Sequence, residues 1–71
     1  MRMFRLKELR EKRGMSQVRL AIELDLNQNT ISRYESGARE ADYRTLIAIA
    51  DYFDVSLDYL LGRTDNPMIL K

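Results

Sequence analysis

Along one side of a helix over Gln28–Ser36 the chain collects two amides, two hydroxyls and one arginine. At ~100° per residue in a helix, Gln28, Asn29, Ser32, Arg33 and Ser36 share an arc of about 140°, with Thr30, Ile31 and Tyr34 opposite. A merely solvated helix face would carry Lys–Glu pairs, and this arc holds none. Carboxamides, hydroxyls and a guanidinium in a fixed row are the groups that hydrogen-bond to base edges. A carboxamide can pair bidentately with adenine, and a guanidinium with O6 and N7 of guanine. The chemistry of this stretch is recognition, not proton or group transfer.

The remaining composition narrows the field. A chain of 71 residues is one small domain. It has no cysteine and no histidine, which removes disulfides, thiolate nucleophiles, the usual metal ligands and the commonest general base. No Gly-rich phosphate loop is present, and the carboxylates sit where caps and surface residues belong, so no cofactor or enzymatic role is expected. No apolar run approaches the ~18 residues of a membrane span and no signal-peptide layout opens the chain, which makes a cytoplasmic protein the expectation.

The overall charge of +1 hides a division along the chain. Residues 1–19 carry seven bases against two acids, +5; residues 20–42 carry −3 and residues 43–71 carry −1. A basic end of this kind can dock on a polyanion, or it can be a solvated first helix.

Five helices must position the polar arc. The first is expected over Met3–Arg13, on Phe4, Leu6 and Leu9, with Gly14 as its stop. Arg10 and Arg13 follow Leu6 and Leu9 at helical spacing, which can lay part of the basic set against the core. Ser16 caps a second helix, Gln17–Leu24, whose Leu20, Ala21 and Leu24 form an apolar stripe. Asp25 breaks it at a position calling for a left-handed residue, and Asn27 caps the third helix, Gln28–Ser36, which Gly37 ends. Asp42 caps the fourth, Tyr43–Phe53, where Leu46, Ile49, Ala50 and Phe53 give the strongest amphipathic pattern in the chain. Asp54 is a second break, and Ser56 caps a short fifth helix, Leu57–Leu61, that stops before Gly62. Asn66-Pro67 then signals a turn before the apolar trio Met68, Ile69 and Leu70. Such a tail is expected either to fray or to pack on its own domain or a partner.

The ordered set RLKELREKRGMSQ (5–17), ISRYESG (31–37) and DYFDVSLDYLLGRTD (51–65) resembles the Cro/repressor-type, or Xre, helix-turn-helix family of bacterial and phage transcriptional regulators. The resemblance implies an all-α fold, a compact five-helix bundle over residues 1–65 with its helix-turn-helix unit at 16–36, leaving 66–71 as a short tail. It implies base reading by Gln28, Asn29, Ser32 and Arg33, phosphate contacts from Gln17, Asn27, Ser36 and Arg39, and a structural ion pair between Arg10 and Glu35. Asp25 and Asp54 stand where relatives commonly have glycine, and Ala41 where proline is frequent. The expected partner is a double-stranded DNA operator, bound by a homodimer, with repression the expected sense. The candidate dimer surfaces are Leu57, Tyr59 and Leu60 together with the tail, with no further dimerisation domain expected. A rival reading is an antitoxin or adaptor that chiefly binds another protein, which the acidic stretch and the apolar tail permit.

Overall fold

The computed structural model describes residues 4–69. Met3 and Leu70, included above in the first helix and the apolar trio, lie outside that range. The described residues form five helices and no strand: α1 (Leu6–Lys12), α2 (Gln17–Leu24), α3 (Gln28–Ser36), α4 (Tyr43–Phe53) and α5 (Leu57–Leu60).

Four of the five starts are written as short polar side chains. The side-chain oxygens of Ser16, Asn27, Asp42 and Ser56 accept the backbone N–H three residues on, at 3.0, 2.8, 2.8 and 3.0 Å. Each satisfies one of the donors a helix N-terminus leaves free. The hydrogen bonds from Thr45 also hold the Asp42 carboxyl below its ordinary range. The first helix differs from the expectation. It has no side-chain cap, and the Arg5 N–H donates instead to the Leu60 carbonyl at 2.9 Å, so the chain ahead of Leu6 is drawn onto α5.

Two ends repeat one device. Asp25 and Asp54 take left-handed backbone, with φ of 57° and 56°. The next N–H, of Leu26 or Val55, then closes onto the carbonyl of Ala21 or Ala50 at 2.8 and 3.0 Å. A side chain at such a position costs energy that glycine avoids. Asp54→Gly should therefore raise stability by a few tenths to about 1 kcal/mol, the gain being limited by the greater unfolded-state freedom of glycine. Urea midpoints of the two proteins check this.

Every helix supplies one side chain to a common centre: Leu6, Leu20, Ile31, Ile49 and Leu60 are each 0% exposed. Leu9, Ala21, Tyr34, Ala50, Phe53, Val55 and Tyr59 complete the core. The α2 and α3 helices make the most extensive helix–helix contact, and α3 also touches α1. The domain measures 31 × 24 × 22 Å.

The stretch after α5 is bound to the domain. The Pro67 carbonyl accepts from the Ser56 N–H at 2.9 Å. Arg5 ties down the segment before it, donating to the carbonyls of Tyr59 (2.8 Å) and Thr64 (3.3 Å) and to the Asp65 carboxylate (2.8 Å). Its guanidinium also lies 4.3 Å from the centre of the Tyr59 ring. No helix among the described residues is long and apolar enough to cross a membrane.

Candidate nucleic-acid interface

Helix α3 is held from behind and open in front. Ile31 and Tyr34 are buried, while Gln28, Asn29, Arg33 and Ser36 are exposed and Ser32 is half-buried. The four candidate base readers therefore lie on the outer side, with Ser32 the most withdrawn. Among the described residues no hydrogen bond or ion pair holds the Arg33 guanidinium, so its donors are available to a ligand. A nine-residue helix is about 13 Å long and 10–12 Å across with side chains, which suits a major groove ≈ 12 Å wide.

The candidate phosphate contacts differ in what they can offer. Asn27 Oδ1 is spent on the Thr30 N–H (2.8 Å) and the Thr30 hydroxyl (2.9 Å). Its Nδ2 remains as a donor at the start of α3, where the helix dipole also favours an anion. Ser36 is more committed: its Oγ donates to the Arg33 carbonyl at 3.2 Å and accepts from the Ala38 N–H at 3.3 Å. A phosphate oxygen only accepts, so Ser36 must give up its bond to Arg33 before it can meet one. Arg39 is exposed, with its guanidinium 6.0 Å from the centre of the Tyr34 ring.

Gln17 stands at the first turn of α2, and its side chain joins a polar chain across three helices. Arg10 Nε and Nη2 donate to Glu35 Oε2 and Oε1 at 2.7 and 3.1 Å. Arg10 Nη1 donates to the Met15 carbonyl, just ahead of the Ser16 cap, at 2.7 Å. Glu35 Oε1 also accepts from Gln17 Nε2 at 3.1 Å, and Gln17 Oε1 accepts from Gln28 Nε2 at 3.4 Å. The bond to Glu35, helped by its charge and by that of Glu11, raises the Arg10 pKa against the opposing effect of burial. One guanidinium thus fixes the end of α3 and the approach to α2 together.

Several described positive groups of the basic end are engaged within the domain, while Lys7, Lys12 and Arg19 remain exposed. Arg5 is bound to α5 and the following segment, and Arg10 to Glu35. Arg13 lies 4.9 Å from the Phe53 ring centre and 5.4 Å from that of Tyr52. Arg19 is paired with Glu23 at 3.1 Å, and Lys12 with Glu8 at 3.9 Å. The candidate dimer surface also changes. Tyr59 and Leu60 are buried, at 9% and 0% exposed, leaving Leu57 half-buried. Leu57 lines an open groove of about 400 Å³ with Ile47, Ala50, Val55, Met68 and Ile69.

The helix-turn-helix family profile matches residues 6–60, which include all five helices. The chain belongs to the Cro/C1-type helix-turn-helix family. Two similar proteins come from Bacillus subtilis (strain 168). The uncharacterized HTH-type transcriptional regulator YqaE is 39% identical over 66 residues, covering 93% of this chain and 57% of the relative. The HTH-type transcriptional regulator ImmR is 41% identical over 61 residues, covering 86% and 48%. The chain spans about half the length of these curated relatives. Within this helix-turn-helix domain, the contacts that sequence spacing did not announce are those of Arg5 and the bonds from Gln17 to Glu35 and Gln28. They join residues 11 to 60 positions apart, beyond the reach of any local pattern.

Proposed function

We propose that this protein is a sequence-specific double-stranded DNA-binding transcriptional regulator that inserts α3 into the major groove of an operator and represses from it. The observation that carries this reading is α3 itself: it is anchored by Ile31 and Tyr34 and presents Gln28, Asn29 and Arg33 to solvent. Gln28 or Asn29 pairs with adenine and Arg33 with guanine, while Ser32 reads at closer range. Gln17, Asn27 and Arg39 meet the phosphates, joined by Ser36 once its hydroxyl turns. Those contacts set position and affinity and carry no sequence information directly. The regulator names of the relatives support the same reading.

Binding to DNA fragments across a salt series tests it. A preferred fragment whose affinity falls steeply with salt is the expected result; weak binding without preference would favour the adaptor reading. Arg33→Ala should relax discrimination at one base pair per half-site by ~1–3 kcal/mol, whereas Arg39→Ala, at a phosphate contact with no bond to a base reader, should weaken all sequences alike. Competition binding with single-base variants of the preferred site separates the two.

One α3 reads only a short half-site, so the operator is taken by a homodimer with half-sites about one helical turn apart. We assign its contact to Ile47 and Ile69, both exposed, and Met68, 69% exposed, around the groove. Met68→Glu should reduce cooperative occupation of a two-half-site fragment and leave single half-site binding unchanged, as read by gel shift.

A further inference from the structure

We propose that Glu35 is a positioning residue for base readout: through Gln17, it dictates which way round the Gln28 carboxamide faces the DNA. The inference rests on the reading role given to Gln28 above. A carboxamide has a donor end and an acceptor end of nearly equal shape, and nothing in its own covalent structure selects one orientation. A carboxylate has no such freedom, because it only accepts. Glu35, its side chain 5% exposed and clamped by two bonds from Arg10, cannot turn to offer anything else. Gln17 must therefore direct Nε2 to it, as the 3.1 Å bond shows.

That choice fixes the other end. With Nε2 turned toward Glu35, Gln17 presents Oε1 to α3, and Gln28 answers with Nε2 at 3.4 Å. One Gln28 N–H is then spent, leaving its Oε1 and the second N–H as a free donor–acceptor edge. Adenine requires that edge, with an acceptor for N6–H and a donor for N7. A charge buried between α1 and α3 thus sets the polarity of a side chain on the DNA surface, with two bonds in the path. Holding a recognition group by a second layer of hydrogen bonds preorganises it before the ligand arrives.

Glu35→Gln tests the proposal, because the new amide can offer either end to Gln17 and the polarity is no longer imposed. The chain has only two glutamines, Gln17 and Gln28, so their side-chain NH₂ signals in a 15N NMR spectrum are readily assigned in the DNA-free protein. The expected result is a Gln28 NH₂ group whose 15N relaxation reports an ordered side chain in the wild type and a mobile one in the variant. On DNA, preference for adenine at the Gln28 step should fall several-fold, within the roughly 5- to 150-fold that one bidentate pair provides. Preference at the Arg33 step should stay as it was, which a merely structural role for Glu35 would not predict. Should Glu35→Gln fail to fold, Gln17→Met cuts the same path with the Arg10–Glu35 pair intact and should release Gln28 in the same spectrum. A Gln28 amide that is already free in the wild type, or unaltered in the variants, overturns the proposal whatever the DNA result. Failure of the wild type to select any DNA sequence would instead overturn the reading on which base preference depends, while the spectrum still decides the orientation.

Discussion

An Arg10→Met protein is expected to lose roughly 3–5 kcal/mol of stability, the cost of removing one member of a buried ion pair. Domains have only ~5–15 kcal/mol to lose, and one of 71 residues lies toward the lower end. The variant should therefore be largely unfolded near physiological temperature. Three bonds disappear together: the two to Glu35 and the one to the Met15 carbonyl. The larger part of the loss is the removal of the Arg10 charge from beside the buried Glu35 carboxylate. Arg10→Met with Glu35→Leu should recover most of the stability, because apolar replacement of a whole buried pair is often neutral or favourable. Urea denaturation followed by circular dichroism measures both. A single variant within 1 kcal/mol of wild type would mean that the pair is solvated and does not bind α1 to α3.

The second large effect is expected at Ile31, the fully buried anchor of the reading helix. Ile31→Ala removes a fully buried side chain of the core and should cost about 2–5 kcal/mol, depending on how far the core can close over the cavity. The consequence reaches function, since the face carrying Gln28, Asn29 and Arg33 is only as well placed as the residues pinning its back. Affinity for a preferred DNA site should fall even at temperatures where circular dichroism still reports helix. Calorimetric midpoints and DNA titrations on the same preparation test the link. An unchanged affinity in a destabilised protein would show that α3 orients itself on the DNA without the core.

Local chemistry made much of the fold legible. Ser16, Asn27, Asp42 and Ser56 announced four helix starts, because capping depends on residues three positions apart. The bounds expected for α2, α3 and α4 agree with those observed. Position α1 began later than expected because Arg5 turns its N–H to Leu60, a partner no helical pattern around Arg5 could reveal. The segment after Gly62 misleads in the same way: what holds it comes from Arg5 and Ser56. The basic end was legible as charge but not as geometry, since a sequence does not say whether an arginine faces solvent, a carboxylate or a ring. Residue types and helical angle picked out the polar arc of α3. The partnership of Arg10 with Glu35 came from family resemblance, and the path from Glu35 to Gln28 became visible only once three helices were side by side.

On the proposed function, the outer face of α3 specifies a DNA sequence. Selection from a random double-stranded DNA pool, run in parallel with wild type and with a variant carrying Ala at positions 28, 29, 32 and 33, tests it most directly. Alanine is the best helix former, so the variant should keep its fold, which circular dichroism verifies. The wild type should enrich a two-fold symmetric motif, and the variant should enrich none while retaining weak, salt-sensitive binding. Enrichment of the same motif by both proteins, or of no motif by the wild type, would contradict the account.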